Sequence, residues 1–303
     1  MSTNNKKQNT MVYHYTTIES FYSMLASYKA SGDKDNLIFW ASNALDQNDK
    51  EELSLRYEDI MNAVKMVEEN RTDLYYLDKI STIEHEIDDY HRIQDKINVF
   101  VSKEEHIPFT ISFSQELDSL LMWNMYAKNG NGICLAFNED ELICPQPSLL
   151  LDPGVVIYDS APSGYLTIVE KLYDYYLSEI KSAGWYLVDN IDNKAKSLAT
   201  MLLAISPFIK HKAFKDEKEY RIAVHRFDKE NKLPVYTRLT ERQNIIRYVH
   251  VRIPISSLKK IVIGPCANYR SARKLLIDNL KSCNIERNYK SFISKSKIPF
   301  RMY

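Results

Sequence analysis

Met11-Val-Tyr-His-Tyr-Thr-Thr17 is a short β-rich run that passes directly into a helical pattern through Phe21, Met24 and Leu25, which Gly32 and Asp33 stop. Leu37 to Ser42 (LIFWAS) reads as a second strand, with Ser42 or Asn43 as the cap of the segment beyond it. Further strands are expected at Ile107–Ser114, Ile133–Phe137, Val155–Tyr158, Glu219–Val224, Pro234–Thr237, Tyr248–Ile253 and Lys260–Ile263, with an edge strand in the tail near Ile293. Helical spacing predicts helices over Glu116–Ala127, Tyr165–Ser182, Trp185–Ile209 and Ser271–Lys281. Strands and helices alternate irregularly, so the expected class is α+β and not a doubly wound βαβ sheet. Residues 1–10 read as a disordered tail and 11–303 as one domain, carrying a charged helical insertion at about 51–98.

Composition narrows the function classes. Lys plus Arg and Asp plus Glu are 40 each, so the net charge is zero and no global field draws the chain to nucleic acid or an anionic membrane. The apolar run Ala199–Ile209 is broken by Pro207 and falls well short of the roughly twenty residues a bilayer needs. Cys134, Cys144, Cys266 and Cys283 form no C-x-x-C pair, which points to reduced thiols in a cytoplasmic protein. With seven glycines and no Walker loop, G-x-G-x-x-G, H-E-x-x-H or G-x-S-x-G, glycine-built phosphate cradles and the familiar hydrolase devices are excluded. His85 and His91 do not stand at metal-ligand spacing and read as a solvated helix face.

What is left is a set of polar and aromatic clusters. They are Tyr13-His14-Tyr15-Thr16, Phe39-Trp40-Ala41-Ser42 with Asn48, Asp49 and Glu51, Ser112-Phe113-Ser114, Leu121-Met122-Trp123-Asn124-Met125-Tyr126-Ala127, and Phe214-Lys215-Asp216-Glu217-Lys218-Glu219-Tyr220-Arg221. This order of H-Y-T, N-D-x-x-E, S-x-S, M-W-x-x-Y-A and E-x-E-Y-R resembles a bacterial family of unknown function (domain of unknown function 2971), over roughly His14 to Pro265. A second resemblance is to ADP-ribosyltransferases, which carry a His or Arg on the first strand, an S-x-S or Tyr strand next, and an E-x-E or single Glu on a late strand. It implies a split mixed or antiparallel sheet, NAD as the substrate, and a toxin or phage-defence effector that modifies nucleic acid or protein, with an antitoxin among its expected partners.

Carried over residue by residue, the resemblance puts catalysis on Glu219, with Glu217 orienting the acceptor and His14 at the sugar. Tyr15, Thr16, Trp40, Ser42, Ser112, Ser114, Tyr126 and Arg221 are the expected NAD-binding residues. The residue types suit the chemistry: a neutral His can bond a ribose hydroxyl, an aromatic can stack on nicotinamide, and a fixed carboxylate can stabilise positive charge at the anomeric carbon. Read as one strand, Glu217-Lys218-Glu219 would put both carboxylates on one face.

Plainer readings stand beside these. His14 could be a bonded core residue, and Glu217 and Glu219 an exposed face paired with Lys215, Lys218 or Arg221. The Trp123 helix fits core packing, Arg270 and Ser271 fit an ordinary helix start, and Lys210-His211-Lys212 fits a solvated loop or a basic rim for nucleic acid. Two rival functions share the cleft: a nucleotide sensor without chemistry, and a nuclease-like effector in which Glu217, Glu219, Asp118 or Asp49 holds a divalent ion.

Overall fold

The computed structural model describes residues 10–46, 57–71, 106–158, 203–226, 233–240 and 243–300, with isolated positions at 166, 169, 170 and 174. The expected tail up to residue 9, the cluster residues Asn48, Asp49 and Glu51, the insertion beyond residue 71 with His85 and His91, and most of the helices expected at 165–182 and 185–209 lie outside the described residues. No helix among the described residues is long and apolar enough to cross a membrane.

The protein is a mixed α/β structure on one open sheet. Its strands are β1 (Met11–Thr16), β2 (Asn36–Asn43), β3 (Phe109–Ser114), β4 (Ile133–Asn138), β5 (Leu149–Val155), β6 (Glu219–Arg226), β7 (Tyr236–Leu239), β8 (Ile245–Pro254), β9 (Leu258–Ile263) and β10 (Ile293–Lys295). Helices α1 (Ile18–Ser31), α2 (Tyr57–Asn70), α3 (Leu120–Tyr126), α4 (Tyr269–Ser282) and the single turn α5 (Tyr289–Phe292) accompany it. Pairing is antiparallel everywhere except between β9 and β10.

Local sequence explains most of these elements. All six residues of β4 (ICLAFN) are buried, as a strand covered on both faces requires, whereas β8 alternates buried Val249, Val251 and Ile253 with exposed His250 and Arg252. In α1, Thr17 accepts from the Ser20 N–H, Gly32 closes the helix at φ 69°, and Phe21, Met24, Leu25 and Tyr28 face the sheet. In α4, Asn268 caps by accepting from the Ser271 N–H at 3.1 Å, and Ala272, Leu276 and Leu280 are buried. Each such large apolar side chain contributes about 1.5–3 kcal/mol on burial. Replacing the cap, Asn268→Ala, is expected to lower stability by about 1 kcal/mol, read as a small fall in the urea midpoint with an unchanged slope.

Several boundaries differ from the sequence reading, three of them next to the site. The strand expected at Val155–Tyr158 runs instead over Leu149–Val155 against β6, and only Ile157 continues, as a bridge to Ile209. The Asp152-Pro153-Gly154 stretch reads as a turn, yet β5 pairs only with β6, so its outer edge tolerates a proline. Asn43 ends β2 and accepts from Leu45 N–H, closing a short 3-10 turn. The helix expected from Glu116 starts at Leu120, after Asp118 takes φ 64°.

Topology decides where a ligand could sit. On one edge of β3, β2 pairs with Phe109 and Thr110, while β1 pairs with Ser114; the intervening residues 111–113 are ladder-paired only with β6 on the other edge. The sheet therefore forks at β3. One arm runs β1-β4-β9-β10 and the other β2-β8-β7.

Candidate functional site

A cavity of about 460 Å³ lies at this fork. Of the expected site residues, His14, Tyr15 and Thr16 from β1, Trp40 and Ser42 from β2, and Ser112 from β3 line it. Tyr126 from α3, together with Glu217 and Glu219, lines it from the β6 side. The strand that opens the fold and the strand two hundred positions later thus face one hollow.

His14 sits where the ladder is missing. Its Nδ1 lies 2.9 Å from the Ser112 carbonyl oxygen, and its ring meets Phe39 and Phe113 edge-on at 5.2 and 5.6 Å. A carbonyl only accepts, so Nδ1 carries the proton. Burial pulls the pKa below the usual histidine value, against a smaller opposing effect of the Ser112 carbonyl. The ring is therefore neutral at pH 7, and its Nε2 is an acceptor.

Opposite it is a buried charge cluster. Lys210 Nζ donates to Glu217 Oε2 at 2.7 Å and to Glu219 Oε2 at 3.1 Å, and lies 4.5 Å from the centre of the Phe214 ring. Arg221 grips Glu219 through Nε (2.7 Å) and Nη2 (3.1 Å), and donates Nη1 to the Pro207 carbonyl at 2.6 Å. Tyr126 donates its hydroxyl to Glu217 Oε1 at 2.8 Å. Two carboxylates and two cations cancel, which is what permits burial: Glu217 and Glu219 are each 3% exposed, and Arg221 is 0%.

The electrostatics follow. Burial by itself raises the Glu219 pKa, but Arg221 and then Lys210 outweigh it and hold the carboxyl below the usual range. Burial opposes the charge on Lys210, while Glu219 and Glu217 more than restore it, so its pKa is raised. For Tyr126, burial and the adjacent Glu217 both push the phenol up.

Several expectations need correction. Glu217 is not on the strand: it ends a 3-10 segment (Lys212–Glu217), Lys218 turns at φ 44°, and only Glu219 begins β6. The two carboxylates converge because Lys210 bonds both, not because of strand alternation. Neither lies on an exposed face. Arg221 is sealed behind Glu219 and does not line the cavity, so it is a clamp and not a ligand contact. Ser114 is also behind the wall, donating its hydroxyl to the Glu217 carbonyl at 2.8 Å. Tyr15 packs edge-on against Trp123 at 5.0 Å and is bonded through its hydroxyl to Glu116 O and Ser119 N, so its ring is not a free platform. Lys210 is a buried partner of the carboxylates and not part of a solvated basic rim. Asp118 bonds Trp123 Nε1, the Ser296 hydroxyl and the Lys297 N–H, away from the cavity, and Asp49 lies outside the described residues. Among the described residues no three His, Cys, Asp or Glu side chains group so as to hold a metal ion.

Sequence reasoning placed Lys210 in a loop or basic rim and missed Asp46 and Arg238; all three line the cavity. Lys210 had a signal: it is the first charge after the apolar run ending at Ile209, and a lysine so placed is drawn inward if a carboxylate awaits it. Asp46 is held by Arg247 through its backbone N–H and guanidinium, at 2.8–2.9 Å. Arg238 stands on an edge strand whose side chains are all exposed. The indole N–H of Trp40 is buried with no hydrogen-bond partner among the described residues.

Residues 122–222 match a family model described as a protein of unknown function (DUF2971). The matched stretch contains Tyr126, Lys210, Glu217, Glu219 and Arg221, the whole charge cluster, though not His14. No curated protein and no solved structure matches the chain.

Proposed function

We propose that the cavity binds NAD and breaks its nicotinamide–ribose bond in an ADP-ribosyltransferase-like reaction, as a toxin or phage-defence effector that modifies nucleic acid or protein. One observation carries the reading: the neutral His14 and the ionised Glu219 face a single hollow at the fork of the sheet. In the reaction the C–N glycosidic bond breaks and nicotinamide leaves with the electron pair. The anomeric carbon, briefly cationic, takes a lone pair from the acceptor, which loses a proton. Glu219, fixed by Arg221 and Lys210, is an anion preorganised for that charge, and costs no reorganisation when it develops. His14 Nε2 would accept from a ribose hydroxyl. Glu217, with its carboxylate only partly occupied by Tyr126 and Lys210, would orient the acceptor. The unpartnered Trp40 indole supports a bound ligand as well, since a buried unmade hydrogen bond costs about 1–3 kcal/mol.

The test is nicotinamide release from NAD. Glu219→Gln and His14→Phe should each reduce it, the former on the order of a hundredfold, while circular dichroism and thermal unfolding report whether each variant is folded. A folded Glu219→Gln protein that turns over NAD like the parent would remove the reading. A second reading, nucleotide capture without chemistry, draws on the fact that Glu219 already accepts from both Arg221 and Lys210. It expects a thermal shift with NAD that survives Glu219→Gln and yields no product.

A further inference from the structure

The arm β2-β8-β7 turns one apolar face to the core and carries stacked aromatic rings on the other. Leu37, Phe39, Ala41, Val249, Val251 and Ile253 turn into the core. On the other face the register sets Trp40 opposite His250 and Tyr248 opposite Tyr236, and the four rings pile together. Trp40 and Tyr248 stack at 4.7 Å and 24°, Tyr236 and His250 at 4.4 Å and 23°, and Tyr236 and Tyr248 at 5.5 Å and 27°.

Cross-strand aromatic pairs do stabilise an edge hairpin. That role does not account for their surroundings. Tyr236 and His250 are exposed, and so are Arg238 and Arg252 on the same face. Arg238 reaches only Ser42 Oγ, at 3.5 Å, and has no ion pair among the described residues; Arg252 has Asp33 at 3.6 Å. The register positions of this face in β2, β8 and β7 hold no carboxylate. In a chain of zero net charge, the charged side chains at the described positions of this face are therefore both guanidiniums, Arg238 and Arg252. The face is also continuous with the cavity, which Trp40, Ser42, Arg238 and Ile246 line from this side.

We infer that this face binds single-stranded nucleic acid and feeds one nucleotide toward the cavity, so that the acceptor is a single strand and not a protein side chain. Bases stack on the exposed rings, which every base can do through its π-face, and Arg238 and Arg252 meet the phosphates. Duplex is disfavoured because its bases are already stacked and paired. The acceptor role rests on the proposed transfer reaction; the binding does not.

The measurement is fluorescence anisotropy of short labelled oligonucleotides, DNA and RNA, single-stranded and duplex, without NAD. Single strands should bind more tightly than duplex. Tyr236→Ala and His250→Ala, neither of which lines the cavity, should each weaken binding on the order of tenfold. Arg238→Ala should reduce the salt dependence by about one phosphate contact. The idea is overturned if no oligonucleotide binds, or if binding ignores these variants. It is equally overturned if binding is lost instead in Arg270→Ala with Lys274→Ala, in the basic groove along α4, or if NAD labels a protein while oligonucleotides stay unbound. Single strands bound through Tyr236 with no NAD cleavage would leave the inference standing and remove the transferase reading; NAD cleavage without oligonucleotide binding would do the reverse.

Discussion

Arg221→Met is expected to destabilise the protein by about 3–5 kcal/mol at neutral pH, seen as a large drop in the urea midpoint. Methionine fills much of the space but supplies no donor. Glu219 would lose two of its bonds and the Pro207 carbonyl would lose Nη1, all in a site where Arg221 is 0% exposed. The pH dependence separates this account from a simple packing loss. In the parent, the folded-state pKa of Glu219 lies below its ordinary value near 4.5. Its contribution is therefore complete above that ordinary value, and disappears as the pH falls through the depressed folded one. Without Arg221, burial dominates and favours the protonated carboxyl. The deficit of the variant should thus shrink from pH 7 toward pH 4, whereas a cavity defect would cost the same at both.

Lys210→Met should produce the second large loss, again about 3–5 kcal/mol, with a different signature. Lysine leaves two carboxylates behind, both 3% exposed and both previously bonded to the same Nζ. Arg221 can still balance only one of the two, so the pair takes up one proton in the folded state. A carboxyl whose folded pKa is raised stabilises below its unfolded pKa and loses that advantage as the pH rises through the folded value. The variant should therefore be most stable in mild acid and weaken toward neutral pH. Equilibrium unfolding at a series of pH values measures this directly. A double variant Lys210→Met/Glu217→Gln should recover part of the loss, because it removes one of the two competing charges.

The sequence made the strands legible where burial is one-sided or complete. In β8 the alternation of Val249, Val251 and Ile253 with polar neighbours is the physical cause of its placement, and in β4 the unbroken apolar run is. That β1 and the start of β6 line one cavity was readable as an ordered set of residue types, but not the fork, which depends on β1 and β2 sharing one edge of β3. Partnership was the least legible property. The sequence offered Arg221 among three pairing cations on an exposed face and Lys210 in a basic rim, and only the folded approach of the 3-10 segment to β6 shows both spent on buried carboxylates. The edge strand β5 was hidden because Pro153 and Gly154 spell a turn to any local rule.

The shared edge of β3 also makes that strand the spine of a hinged book. Each leaf keeps its own ladder, and across the gap the leaves are joined by packing, with Phe39 of one meeting Phe137 of the other edge-on at 5.7 Å. Admitting a bulky guest would then need a change of angle at residues 111–113, with His14 losing or keeping its grip on the Ser112 carbonyl as the latch. Amide hydrogen exchange would register such breathing as faster opening along that short gap than in the middle of either leaf.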